Sequence, residues 1–463
     1  MRYASAIVVW PLFIVTGLLS QPVAFAATWL VRNSIEIADA GRRASPGDVL
    51  EMANGVWVDQ VVRFESSGRV GAPITLRAQT PGRVVLTGKS RLEIQGRWLV
   101  VDGLRFEQGG LNKGDAVVKI GGRQGVAAED CRLTNSSIVA YNPPDPTIRY
   151  PWVELNGVRL QVDHSLFQGQ NHSGPTIVVQ RNSGAADFAL IEHNHFLDRI
   201  PGASNGHETI RIGTSEHAES PSNSIVRFNL FERTNGEMEV ISLKAGSNEV
   251  RANTFIGVAG TVSLRHGSGN VVRDNFFDGQ NLSGTGGVRV SGRDHVVMGN
   301  QFQDLDGRLG GIVILHCGDQ LRRTAGYDRV EDLLVSSNLF VRVKVPALRI
   351  GAGCERPGQM APPDRVRVVE NILFDAPMPT TEAAVSWSAV TYADNVSNAS
   401  GPLADGFKQV LMRAQSGKSG VLSVSARDGA PDAGGRLPFR QPIRTKPTEV
   451  GPAWRTEASV HVR

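Results

Sequence analysis

Three cysteines stand among 463 residues. Cys131, Cys317 and Cys354 are too few and too scattered for a disulfide framework, and they lack the close spacing of a zinc site. An oxidising compartment would leave Cys317 and Cys354 as the pair able to join. Aromatic residues make up only 6% of the chain, and there is no block rich in Lys and Arg, which argues against a nucleic-acid partner. The net charge of +4 agrees with an acidic partner but does not single one out. Beyond the first residues no apolar run reaches membrane-spanning length, and no strong 3.6-residue periodicity marks helices through the centre of the chain.

The N-terminus carries an address. Arg2 is followed by an apolar run from Ala6 to Leu19, interrupted by Pro11, and then by Pro22 and the small-x-small pattern Ala24-Phe25-Ala26. This reads as a signal peptide over residues 1–26, cut near Ala26. No cysteine near that point suggests a lipoprotein. The mature protein is expected in the periplasm or outside the cell, with no membrane contact after cleavage.

What the chain does have is a repeated phrase. Apolar residues followed by Asn-x-Phe occur at Asn194-His195-Phe196, Asn229-Leu230-Phe231, Asn253-Thr254-Phe255, Asn275-Phe276-Phe277, Asn300-Gln301-Phe302 and Asn338-Leu339-Phe340. Weaker copies are Cys131-Arg132-Leu133, Ser165-Leu166-Phe167 and Asn371-Ile372-Leu373. The closest copies, such as Asn253 and Asn275, are 22 residues apart; wider gaps indicate inserted loops. Repeats of this length signal stacked units. Short β-branched strands between Gly, Asn and Asp turns leave no room for helical crossovers. The expected fold is all-β: a right-handed, single-stranded parallel β-helix. The asparagines would form an internal ladder, because a buried amide must have its donors and acceptors met, and the phenylalanines would stack in the core. A β-propeller needs a longer period, about 40 residues or more. Ser34–Ala40 reads as a short helix, ending near Gly41, that caps the open N-terminal end. The catalytic β-helix is expected over residues 27–400, with a C-terminal cap and tail over 401–463.

One stretch carries chemistry. Glu237-Met238-Glu239 leads into a strand ending at Lys244, and one coil later a strand ends at Arg265-His266. Alternation puts Glu237 and Glu239 on one side of a strand. Lys244-Ala245-Gly246, Arg265-His266-Gly267 and Arg211-Ile212-Gly213 share a frame, so Arg211, Lys244 and Arg265 would line one face as a column. Two carboxylates on one side suit a hard cation such as Ca²⁺, with Asn205 as a third oxygen ligand. Spacing alone equally allows the two glutamates simply to pair with Lys244 and Arg265.

The constellation Asn205, Glu237-x-Glu239, Lys244 and Arg265-His266 resembles the active site of polysaccharide lyase family 6, which holds alginate lyases and chondroitinase B. The resemblance extends over most of the mature chain, including Ala72-Pro73-Ile74-Thr75-Leu76-Arg77-Ala78 and Val450-Gly451-Pro452. It implies Asn205, Glu237 and Glu239 as Ca²⁺ ligands, Lys244 as base and Arg265 as acid; His266, Arg211 and Arg289 are assigned to substrate contact. This sequence has His207 in the metal loop. The implied partner is an acidic polysaccharide, most simply alginate, cut by β-elimination; dermatan sulfate is the alternative within the family. A polygalacturonase-like hydrolase would need acids placed across the scissile bond, and a non-catalytic carbohydrate-binding β-helix would need no Lys and Arg beside a carboxylate pair.

Overall fold

The computed structural model describes residues 26–455 except 123–126, 308–312, 320–325, 355, 382–388, 418–419, 427–436 and 438. Of the expected signal peptide only Ala26 lies among the described residues. No helix among them is long and apolar enough to cross a membrane.

The architecture is a parallel β-helix of three sheets, each of 14 strands, joined rung by rung. Between its two ends the chain visits in turn a first sheet, which begins with Thr28–Val31, a third sheet, which begins with Gly55–Val58, and a second sheet, which includes Ile210–Ile212 and Glu239–Lys244. The corner between the first and third sheets explains the repeated phrase. The strand ends, one residue takes a left-handed conformation, and the next residue is the buried asparagine. The left-handed residues include His193, Phe228, Ala252 and Asp274, with φ of 52°, 53°, 52° and 56°. Such a conformation costs a residue with a β-carbon about 1–2 kcal/mol.

The asparagine offsets that cost. Asn253, 0% exposed, donates from Nδ2 to Asn275 Oδ1 at 3.0 Å and to the Val226 carbonyl at 2.9 Å. Its Oδ1 accepts from Asn229 Nδ2 and from the Asn229 backbone N–H, both at 3.0 Å. The same pattern runs through Asn194, Asn229, Asn275, Asn300, Asn338, Asn371 and Asn395. Behind it Phe167, Phe196, Phe231, Phe255, Phe277, Phe302 and Phe340 stack with centroids 4.5 to 5.2 Å apart. Towards the N-terminus serines take over the corner: the Ser165 N–H donates to Asn194 Oδ1, and the Ser136 N–H to Ser165 Oγ. Cys131-Arg132-Leu133 is therefore not a copy of the phrase. Arg132–Thr134 is a strand of the first sheet, and the corner on that coil belongs to Ser136. The phrase misleads there because an apolar pair opens both kinds of strand.

The N-terminal helix spans Ser34–Arg43, two residues past Gly41. Asn33 Oδ1 accepts from the Glu36 N–H at 2.9 Å and caps it. Gly41 serves close packing rather than termination: a β-carbon there would lie 3.0 Å from the Glu65 carbonyl oxygen. The strand path continues to Phe407–Gln409. An antiparallel hairpin follows, Met412–Ser416 with Leu422–Ala426. Met412 and Leu422 pack on Leu339, Val341, Ile372 and Phe374 of the third sheet. The tail then runs back along the solenoid. Thr445 N–H donates to Thr254 Oγ1, Gly451 N–H to the His193 carbonyl, and Trp454 Nε1 to the Asn135 carbonyl. Hairpin and tail cover the outside of the third sheet.

The two cysteines with a partner in reach are joined: a disulfide links Cys317 to Cys354, with Cα atoms 4.8 Å apart, and Cys131 is a buried free thiol.

The corner generates a test. Asn253→Leu removes two acceptor contacts and three donor contacts in a site closed to water. Each partner left unpaired costs roughly 1–3 kcal/mol, so the melting temperature should drop sharply, while the protein that stays folded keeps its surface chemistry. A variant as stable as the parent would show that the ladder is incidental.

Candidate active site

The second sheet carries the candidate residues. Its register aligns Ile177, Ile210, Ile241, Val262 and Val288 facing the core. The next position in each strand faces outward and reads Val178, Arg211, Ser242, Ser263 and Arg289. This corrects the expected column. Arg211 shares its position with Ser242 and Arg289, not with Lys244. The shift has a local cause. Between Leu243 and Lys244 the ladder slips, so Leu243 faces Leu264 but Lys244 faces His266. Arg265 is the extra residue of that bulge, and a bulge re-aims the side chains around it.

The side chains nevertheless meet. Lys244 Nζ lies 3.6 Å from Glu208 Oε1. Arg265 Nε lies 3.7 Å and Arg289 Nη2 3.4 Å from the same oxygen, Glu239 Oε1. Ser242 Oγ donates to Glu239 Oε2 at 2.5 Å, and the Gly206 N–H donates to Glu237 Oε2 at 2.9 Å. Asn205, the expected third ligand, is exposed; its neighbour's amide is what reaches Glu237. His207 Nδ1 bonds the Ser204 carbonyl at 2.7 Å, holding the loop in its turn. His266 is buried, with Nε2 at 3.2 Å from Ser215 Oγ and Nδ1 at 4.0 Å from Asp328.

Glu208 did not stand out in the sequence and is central here. It is 3% exposed, and its Oε2 is buried without a hydrogen-bond partner. A signal was present: Glu208-Thr209-Ile210 and Glu239-Val240-Ile241 match, and Ile210 pairs with Ile241, so the two glutamates stack on neighbouring rungs. Together with Glu237 they load the site with negative charge. The Glu237 carboxyl is pushed up to about 7, first by burial and then by the charges of Glu208 and Glu239. Beneath lies Arg199, fully buried and drawn down to about 9 by that burial, while Glu208 and Glu237 favour its charged form. It donates to Thr176 Oγ1 at 2.8 Å and the Gly174 carbonyl at 2.7 Å. Burial likewise lowers Arg211, whose Nε is buried without a partner.

Would this site take Ca²⁺? Carboxylate oxygens are the donors a hard cation prefers. An orphaned carboxylate oxygen, and a carboxyl raised by burial and then by neighbouring negative charge, both suit a place for positive charge. In kind and in charge the residues fit a divalent cation. Among the described residues no three His, Cys, Asp or Glu side chains already converge as a ligand set.

The last element is a segment from a coil further on. The Tyr327 ring lies 3.9 Å from the Arg265 guanidinium carbon and 5.2 Å from that of Arg289. Its hydroxyl accepts from Arg289 Nη2 at 2.8 Å. Nothing in the local pattern around Tyr327 marks it, because the contact crosses from a distant loop.

Comparison with known proteins agrees with this fold. The family model described as chondroitinase B matches residues 31–409. The structure of the family 6 (PL6) alginate lyase AlyGC superposes with a TM-score of 0.85 at 32% identity, covering 93% of this chain. This chain spans only 59% of the length of that lyase. A mannuronic acid specific family 6 lyase from human gut microbiota matches at 0.75 and 29% identity, over 83% of this chain and 91% of its own. A family 6 polysaccharide lyase from Pseudopedobacter saltans matches at 0.76 and 27%, over 92% of this chain and 100% of its own. No curated protein matches in sequence.

The buried cation under the carboxylates can be tested by itself. Arg199→Met keeps much of the volume but leaves buried negative charge without its counterweight. Loss of one partner of a buried charged group costs about 3–5 kcal/mol, and denaturant unfolding should show a loss of that size. A midpoint equal to that of the parent would mean that Arg199 does not balance the carboxylates.

Proposed function

Because the chain belongs to the chondroitinase B family, within polysaccharide lyase family 6, we propose that it cleaves a uronate polymer by β-elimination. One observation carries the reading: Lys244 and Arg265 stand on neighbouring rungs of the same sheet, each held to a carboxylate of the Glu208, Glu237 and Glu239 group. A hydrolase would use paired acids across the bond; here the cations flank the acids.

The chemistry follows from the residue types. Elimination removes the C5 proton of a uronate and breaks the C4–O4 bond, and the electrons of the C–H bond become the C4–C5 double bond. The Lys244 amine takes the C5 proton. Arg265 faces O4. A guanidinium does not give up its proton in proteins, so Arg265 stabilises the departing oxygen with hydrogen bonds, and water supplies the proton. Arg289 and Arg211 offer forked donors to uronate carboxylates, and His266 orders the floor through Ser215. Glu208, Glu237 and Glu239, with the loop at Asn205, would hold Ca²⁺. The bound cation would supply positive charge to the uronate carboxylate, which would make the C5 proton easier to remove.

Alginate is the proposed substrate, because two of the similar structures above 25% identity are named as an alginate lyase and a mannuronic acid specific lyase. The second reading, dermatan sulfate, rests on the chondroitinase B name of the matching family model. The N-terminal pattern and the Cys317–Cys354 disulfide support export to an oxidising compartment. Ultraviolet absorbance of the new double bond, followed with alginate, pectin and dermatan sulfate, decides between these substrates. No absorbance with any of them would end the lyase reading.

Two expectations follow for the site. Lys244→Ala should lower turnover by roughly 10²–10⁴-fold with polymer binding nearly intact, and Lys244→Arg should not restore it. Near-normal turnover in Lys244→Arg would remove Lys244 from the base role. Excess chelator should abolish activity, added Ca²⁺ should restore it, and Glu237→Ala should lower the metal content of the purified protein. Full activity in a chelated, metal-free preparation would refute the Ca²⁺ assignment.

A further inference from the structure

Arg265 and Arg289 share one carboxylate oxygen of Glu239. Long flexible side chains beside a carboxylate tend to close onto it as a bidentate pair, and arginines held that way would be lost to substrate. A segment from another coil stands against that outcome. Gly326 supplies a carbonyl that accepts from Arg265 Nη1. Tyr327 supplies a ring face to both guanidiniums and a hydroxyl oxygen to Arg289. Stacking on an aromatic face attracts the cation without neutralising it. It engages the flat face of the guanidinium, so the direction of its N–H edges is set by the ring.

The segment is itself tied down. The Tyr327 N–H donates to Asp319 Oδ2 at 2.8 Å, and the Asp319 N–H donates to the Tyr327 carbonyl at 2.7 Å. Asp319 is two residues from Cys317, which is bonded to Cys354. Between them Gly318 exchanges backbone bonds with Ala361 at 2.9 and 3.2 Å. Through these ties the ring is fixed to the coil that carries the disulfide.

We propose that Tyr327 is a positioning residue: it holds Arg265 in the orientation that serves the leaving oxygen, and Arg289 in the one that serves a uronate carboxylate. This rests on the lyase reading above, and the test keeps the two apart. Turnover and KM are measured on the substrate found active, for Tyr327→Leu, Tyr327→Phe and Arg265→Ala, with melting temperatures alongside. Tyr327→Leu removes the ring and should lower kcat roughly tenfold or more, with a smaller change in KM. Tyr327→Phe keeps the ring and should recover most of kcat, while KM rises because Arg289 loses its acceptor. Unchanged kcat in Tyr327→Leu, or equal losses in the Leu and Phe variants, overturns the proposal. A fully active Arg265→Ala refutes the role of Arg265 itself, and the Tyr327 proposal falls with it. An inactive Arg265→Ala beside a wild-type Tyr327→Leu overturns the Tyr327 proposal alone. If Tyr327→Leu does not fold, Asp319→Ala, which cuts the tie and keeps the ring, carries the test. A kcat-selective loss supports the proposal, and unchanged kcat overturns it.

Discussion

The buried asparagine at the corner between the first and third sheets is the constraint on which the molecule depends. A parallel β-helix must turn its chain at each corner between sheets, and at this corner it does so through a single left-handed residue, even where that residue is Ala252. The turn is unfavourable alone. It is held because the next residue places an amide where the coil below and the coil above each present a partner. The hydrogen bonds run along the axis, so they also fix the spacing between rungs at about 4.8 Å and bring each coil into register with the next. The phenylalanine stack and the outward column of the second sheet both inherit that register. A groove built from side chains on four strands is possible only because the register does not drift.

That dependence explains what was legible in the sequence. The ladder repeats, so Asn-x-Phe was visible, and with it the fold, the stacked core and the neighbouring strands that carry Glu239, Lys244 and Arg265. What does not repeat was hidden. The bulge at Lys244 breaks the frame that spacing suggested and puts His266, not Arg265, opposite the lysine. Gly41 looked like a helix stop but is a packing contact with Glu65. Glu208 escaped notice because its meaning lies in pairing with Glu239 one coil on, across a stretch of unequal length. Tyr327 has no local signature. The sequence offered Cys317 and Cys354 as a pair but left the bond open, because they lie 37 residues apart and only the stacking of coils makes them adjacent.

Charge and cover together select the second sheet as the working face. Much of the third sheet is covered by the C-terminal hairpin and by the tail, which reaches as far back as Asn135. The second sheet concentrates ions instead, and its outward Ser242, Ser263 and Arg289 are buried beneath the loops that fold over them. Three glutamates, two arginines and a lysine meet on it, while Arg211 on the same outward row and Arg199 beneath each carry a buried Nε that lacks a partner. Such an arrangement is poor for stability, since burial penalises every charge in it. A carboxyl raised as Glu237 is, gathered with unmet polar atoms on one sheet, is what a site for a charged ligand requires.

The spacing of the ladder shows where the site sits on the scaffold. From Asn229 to Asn300 the steps are 24, 22 and 25 residues, the bare length of a coil. On either side they lengthen to 35 and 38 residues. The first long coil supplies the Gly206–Glu208 loop, which closes on Glu237 and Lys244, and also Ser215, which meets His266. The second supplies the segment that ends in Tyr327, which closes on Arg265 and Arg289. The short coils between them carry Lys244 and Arg265 on rigid strands. The regular part of the repeat therefore sets the distances between reacting groups, and the irregular coils at its two ends fold back over them. Insertions elsewhere along the solenoid would leave those distances unchanged, because each coil bonds only to its neighbours.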